Sequence, residues 1–514
     1  MNFNTIMRFC TRKSSFKNIH KPRFILIIKL FLAGLIFTAC TEQVIELKKI
    51  SRDLTSSVSD TASSFVDKSV VLMQSTSNFA TNIKKDYKPK NTDDISKDIV
   101  SILEEIPESY IDINNNTVNL DEGLWGAVTQ AVKNNEGYQA AILLEDEAMS
   151  NVGVAKSVRR TQFTGQSTIG GIYESGGNNN VDTKGVAGNL NITKLLYDGG
   201  KSISDIDQAS AYALSLQASR RNLGNKIASD ASSTWINIWY IRERLDLMST
   251  RTKKLNTLID KMERMSLSGM IDTSVIDSSK AQLVDISLEK NKLEADFEAT
   301  KVRFFRYFSQ EPDDLIEPSF LLSVEKTELE IQNWRKAPIL EKSVADLIVA
   351  RKEVLSAESA FKPNARARAG ISSPMRDGES TDKSIGVLLE YTFGDGGRRD
   401  SRLKAANAKL KSAESQLKDI QLTLQAELNS TLVQLNAMNN SMSLLDEKIK
   451  LNDANVVTAK SQLNTGQSTL EALIKAEISS FNSNNKYLMM HAEQHALLLK
   501  IVTLSGALGR NLNF

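Results

Sequence analysis

The chain has 514 residues, room for a large core or several domains, and a formal net charge of +2, too small for a global field that would hold nucleic acid. Its two cysteines, Cys10 and Cys40, both stand near the start, so no disulfide framework can form downstream. Only eight prolines interrupt it, which leaves long helices possible.

Residues 1–39 read as a signal peptide. Arg8, Arg12, Lys13, Lys17, Lys21 and Arg23 come first, with no acid among them, and FILIIKLFLAGLIFTAC follows at 24–40. The apolar run is about 16 residues, short for a spanning helix and suited to the core of an export signal. Phe37, Thr38 and Ala39 before Cys40 resemble a bacterial lipoprotein cleavage box. That places lipid on Cys40; an ordinary cleaved signal or an uncleaved anchor is the alternative. Removing 1–39, with its seven cations, takes the net charge from +2 to −5. Residues 40–118, rich in serine and threonine, read as a lipidated extension or tether.

A first repeat is expected at 119–310. A helix is expected over 119–152, with acidic Asp121 and Glu122 at its start. Strands follow at 166–175 and 185–193. In the second of these, Val186, Gly188, Leu190 and Ile192 share one face, and Ala187, Asn189, Asn191 and Thr193 the other. The corner LLYDGG, with Asp198, Gly199 and Gly200, then opens a run from Lys201 to Ser268 without proline and with one glycine, Gly224. A turn at Gly269 leads to a return helix over 274–308.

Residues 311–336 read as a linker, and the same order recurs at 337–512. A helix over 337–361 has Pro338 near its start, where a missing N–H costs nothing. Strand 364–372 alternates Ala365, Ala367, Ala369 and Ile371 against Arg366, Arg368, Gly370 and Ser372. Strand 384–393 puts Ile385, Val387, Leu389, Tyr391 and Phe393 on one side, with Leu388 as an exception on the other. The corner TFGDGG, with Asp395, Gly396 and Gly397, stands 197 residues after the first. From Arg398 to Thr465 there is neither proline nor glycine. Leu403, Ala406, Leu410, Ala413, Leu417, Ile420 and Leu424 step by threes and fours, a heptad seam. Gly466 marks the turn before a return helix at about 469–508. The offset of 197 at the glycines becomes 195 at Lys280 and Lys475, which implies a shorter turn in the second repeat.

Two-sided strands suit a soluble sandwich or a lipid-facing sheet. The long helices favour the second, since unbroken they run about 100 Å. Four strands cannot close a barrel, so closure needs several chains. Three chains supply twelve strands. The expected fold is therefore an internally duplicated α+β membrane protein: a trimeric 12-stranded β-barrel, four strands per chain, continued by a long α-helical coiled-coil barrel. Asn189, Asn191, Thr193, Arg366 and Arg368 line its wet interior.

The LLYDGG and TFGDGG corners, the duplicated layout, GMIDTSVIDSSKAQ, TGQSTLEALIKAE and LLKIVTLSGALG together resemble the TolC family of outer-membrane channels over about 119–512. The resemblance implies a homotrimer in outer-membrane lipid and a passive exit duct for a tripartite efflux or type I secretion system. It also implies a periplasmic adaptor and an inner-membrane efflux pump or ABC-type secretion transporter as partners. The lipidated cysteine resembles the efflux branch. Some members carry aspartate rings after the glycine turn of the second repeat. By register from Gly466 those positions fall on Ala472 and Lys475, with Glu471 the nearest carboxylate. Three copies of Lys475 would favour anions at this mouth; alternatively Lys475 faces outward or pairs with Glu471 or Glu477.

His491 and His495 are spaced i, i+4, as two zinc ligands would be, but the sequence is HAEQH, and solvated or interhelical histidines are the expectation. No metal or other cofactor is expected. Asp198 and Asp395 are corner formers whose carboxylates can cap helices, not a catalytic pair. GALG and GDGG lack the lysine and spacing of a phosphate loop, and no nucleophile–base set is visible, so the chain is not read as an enzyme. A periplasmic coiled-coil adaptor or a structural lipoprotein would also explain long helices and an anchor. The duplicated strand pairs speak against both.

Overall fold

The computed structural model describes residues 101–102, 118–174, 181–268, 272–322, 326, 333–374 and 380–514. Cys40, Gly269 and the two strand-to-strand tips at 175–180 and 375–379 lie outside the described residues. The chain divides into a unit Met1–Pro107, of which only the helical residues 101–102 are described, and a unit Glu108–Phe514 that holds everything below.

Two halves of like element order make up the second unit. The first half runs α1 (Gly123–Asn134), α2 (Glu136–Ser157), β1 (Gln162–Glu174), β2 (Val181–Tyr197), α3 (Lys201–Leu267) and α4 (Thr273–Phe308). A short 3-10 turn, Trp334–Lys336, then leads to α5 (Pro338–Ser359), β3 (Asn364–Ser373), β4 (Asp382–Glu390), α6 (Arg398–Asn464), α7 (Leu470–Leu504) and α8 (Ala507–Leu512). Helices α2 and α5 both have 22 residues, and α3 and α6 both have 67.

Three local expectations are corrected. The single helix at 119–152 is broken at Asn135, whose backbone is extended and whose side chain accepts from the Tyr138 N–H to cap α2. The strands of the first half are longer than their alternating cores, and β4 stops at Glu390, short of Tyr391 and Phe393. The second turn is not shorter. Five residues separate α3 from α4 and five separate α6 from α7. The two-residue drift between the Lys280 and Lys475 segments therefore falls within the return helices. At the second turn Gly466 takes φ of 74°. Its N–H reaches the Leu463 carbonyl and that of Gln467 the Gln462 carbonyl, a glycine-terminated helix end that satisfies two orphan carbonyls.

The heptad seam of α6 is its inward side. Leu403, Ala406, Leu410, Ala413, Leu417, Ile420 and Leu424 are buried or half-buried, while the residues between them, up to Asp419, are exposed. Toward the end of the first repeat, Trp235 on α3 is fully buried against Phe304 and Phe308 of α4. Its indole N–H donates to the Ile316 carbonyl, Trp125 on α1 donates to Ser319, and Arg242 donates to Leu315. The stretch after α4 is thus strapped across α3 by hydrogen bonds to its own backbone. The one glycine of α3, Gly224, gives way to Phe514: a Cβ there would sit 2.7 Å from that ring.

Candidate channel wall and mouth

The four strands form one antiparallel sheet in the order β1-β2-β3-β4. Its registers join the two repeats face to face. Phe163 pairs with Ile192, Ile192 with Ala369, and Ala369 with Ile385. One residue along, Thr164 pairs with Asn191, Asn191 with Gly370, and Gly370 with Ser384. Because side chains alternate, most apolar strand positions gather on one face and most polar ones on the other. The polar face brings together Asn189, Asn191, Thr193, Arg366 and Arg368, with Gln162, Thr164, Gln166 and Ser372 beside them. Gly370 leaves room there: a Cβ would meet the Asn191 amide oxygen at 2.8 Å. Leu388 and Leu195 both pair with Arg366 and so belong to the polar face.

Among the described residues, nothing covers the apolar face. Ile169 is 69% exposed and Ile385 71%, and Val387 and Leu389 are similarly open. Phe163, Tyr197, Tyr391 and Phe393, all exposed, gather at the helix-proximal end. Tyr391 and Phe393 meet edge to face at 4.9 Å. Exposed aromatics at one end of an apolar band are the pattern of a membrane–water boundary. Strands β1 and β4 each have one neighbour among the described residues, so the sheet ends on two open edges.

The two DGG corners turn the sheet into the long helices by one device. Gly199, Gly200, Gly396 and Gly397 all have φ between 66° and 94°, open to glycine at little cost. The carboxylate of Asp198 accepts the Gly200 N–H at 3.1 Å and the Ser202 N–H at 2.7 Å. Asp395 accepts from Gly397 at 3.2 Å and Arg399 at 3.0 Å, and its carboxylate pairs with the Arg399 side chain. Burial alone would raise the Asp198 carboxyl, but the Ser202 and Gly200 hydrogen bonds, with Arg159 nearby, hold it below the usual range.

At the other end of the helices, Glu471 and Lys475 form an i, i+4 ion pair at 2.6 Å beside half-buried Ala472. Lys475 is exposed, yet its charge is balanced locally. Sequence reasoning missed a polar layer deeper in. Arg251 of α3, 5% exposed, pairs with Glu477 of α7 and lies over the Phe481 ring at 5.6 Å. Burial lowers its guanidinium to about 10. Arg244 joins Asn485 at 2.9 Å and Glu289 of α4 at 2.8 Å. The Asp453 carboxylate accepts from Ser480 at 2.6 Å. These partners lie up to 241 residues apart, so no local motif announces them. His491 Nδ1 is 2.7 Å from the Tyr240 hydroxyl, and His495 packs on the Phe320 ring at 4.0 Å. Among the described residues no cluster of three or more metal-binding side chains occurs.

Two helix stripes also lack partners among the described residues. Leu422, Val433, Leu444 and Leu451 form one along α6, and Val284, Leu288 and Val302 one along α4.

Residues 335–507 match the family model described as outer membrane efflux protein. The second repeat is thus the part of the chain that is similar to outer membrane efflux proteins. The efflux protein BepC of Brucella suis biovar 1 is 22% identical over 342 residues, 63% of this chain and 72% of that one. In fold, the chain is similar to the solved structure of CusC, with a TM-score of 0.66, 14% identity, and coverage of 78% of this chain and 96% of that one. VceC from Vibrio cholerae gives 0.65, 14% identity, and 74% and 96% coverage. The open state of the Neisseria gonorrhoeae MtrE channel gives 0.64, 13% identity, and 78% and 95%. The fold is thus that of TolC-type channels. Proteins of this family sit in the outer membrane and are passive efflux conduits, not enzymes.

Proposed function

We propose that three copies of this chain close into a twelve-stranded barrel continued by a helical tube, forming the outer-membrane exit duct of a tripartite efflux system. The two-faced sheet, with both edges unpaired among the described residues, carries this reading. An apolar face of this extent requires lipid, and open strand edges in lipid require closure against further strands. The Asn189, Asn191, Thr193, Arg366 and Arg368 face then lines the lumen, and the DGG corners stand at the inner membrane boundary. Lipid on Cys40 gives a second hold on the same membrane. The turns at Gly269 and Gly466 form the periplasmic mouth, which an adaptor and an inner-membrane pump open. The relatives' efflux names favour a pump over an ABC-type secretion transporter as partner. The Glu471–Lys475 pair makes the mouth locally neutral rather than anion-selective.

Reconstitution in planar bilayers tests the reading. Purified trimers should conduct in discrete steps, and conductance should rise when the mouth helices are loosened. A folded, inserted protein with no conductance in either form would end it.

A further inference from the structure

We propose that the helical body carries a binding site for a small anionic aromatic or amphiphilic compound, in a cavity of about 730 Å³ between α1, α2, α3, α5 and the segment around α8. That volume lies within the range of ligand pockets. Its apolar surface comes from Tyr138, Ile142 and Phe514, the first and last in edge contact at 6.3 Å. Its rim is cationic. Arg220 is already held by Glu145 at 2.7 Å, and Arg221 by Glu341 at 2.7 Å. Lys133 and Lys336 also line the cavity and make no ion pair among the described residues. The Arg221 Nε and the Glu341 Oε2 are both buried without a hydrogen bond, although their side chains form the ion pair. A ligand carboxylate or sulfonate would pair with Lys133 and Lys336 while its ring packed on Ile142 and Phe514.

On the duct reading, the strand–helix corner at Gly200 stands at the membrane. Arg221 is about 30 Å further along α3. The ligand therefore comes from the aqueous phase rather than from the lipid covering the sheet. Bound there, it would tie the α1–α2 junction of the first repeat to the end of the second.

Calorimetry on the full-length trimer in nanodiscs tests this, with 2-naphthalenesulfonate as probe and 2-naphthalenesulfonamide as its uncharged match. The sulfonate should bind at least tenfold more tightly than the sulfonamide. The double variant Lys133→Glu, Lys336→Glu should lose that preference, and Lys133→Arg, Lys336→Arg should keep it. Equal binding of both compounds, or an unchanged isotherm in the Glu variant, overturns the proposal. Channel conductance of the same variants reads the duct function separately, so loss of one result leaves the other intact.

Discussion

A buried charge is tolerable only while its partner stays, and Arg251 shows what that implies for the packing of α3 on α7. Its guanidinium and the Glu477 carboxylate are both largely withdrawn from water, with Phe481 against the cation. Arg251→Ala strands Glu477, a change that typically costs about 3–5 kcal/mol. The double replacement Arg251→Met, Glu477→Leu should recover most of it, because it removes both desolvated charges. Thermal unfolding of the single and double variants measures the difference; equal losses would mean that the pair is not coupled. The histidines of α7 give a second residue-scale expectation. Burial lowers the His495 imidazole from 6.5 to about 4, with His491 adding repulsion. Burial also lowers His491, against the pull of Glu317. Tyr240, Tyr487 and Phe320 are the other groups that face them. The unfolded chain binds these protons first as pH falls. The stabilisation is therefore complete above 6.5 and lost progressively toward 4. His495→Gln should flatten the dependence of melting temperature on pH in that window.

At the scale of elements, the sheet asks for different media on its two sides. Val387 lies on the apolar face and Gln166 on the polar one. Val387→Arg should cost about 2–4 kcal/mol if that face meets the middle of a bilayer, whereas Gln166→Arg adds a charge to a wet lumen at little cost. The yield of inserted, heat-modifiable protein separates the two, and equal yields would argue against lipid on the Val387 side. Much of this was legible in the residues. Period two in 185–193 and 364–372 sorts the faces without coordinates, and threes and fours from Leu403 to Leu424 give the inward side of α6. The strand ends were not legible, because Thr164 and Gln162 continue a ladder with neutral side chains that carry no sharp alternation. The break at Asn135 was masked by apolar spacing that continues across it. The Arg251–Glu477 contact depends on how α3 and α7 pack, which no local pattern encodes.

For the whole molecule, the unpartnered features form a consistent set. Among the described residues the sheet has two open edges, and the helices below it carry two open apolar stripes, on α6 and α4. Within the chain α3 packs on α4 and on α7, and α6 packs on α7. The stripes therefore fall outside the contacts that the described elements make with one another. A cyclic assembly joins unlike surfaces, one patch of each copy against another patch of the next, and closes when the rotation completes the ring. Pairing the α6 stripe of one copy with the α4 stripe of its neighbour meets that requirement along the tube, as β4 against β1 meets it in the sheet. Leu444→Asp with Leu451→Asp should therefore weaken assembly without unfolding the protomer, since both side chains are exposed in the single chain. Chemical crosslinking of membranes should show a lower trimer fraction, while circular dichroism of the purified variant stays helical. Retained trimers would place the joint between copies elsewhere, and a loss of helicity would mean that these leucines support the protomer itself.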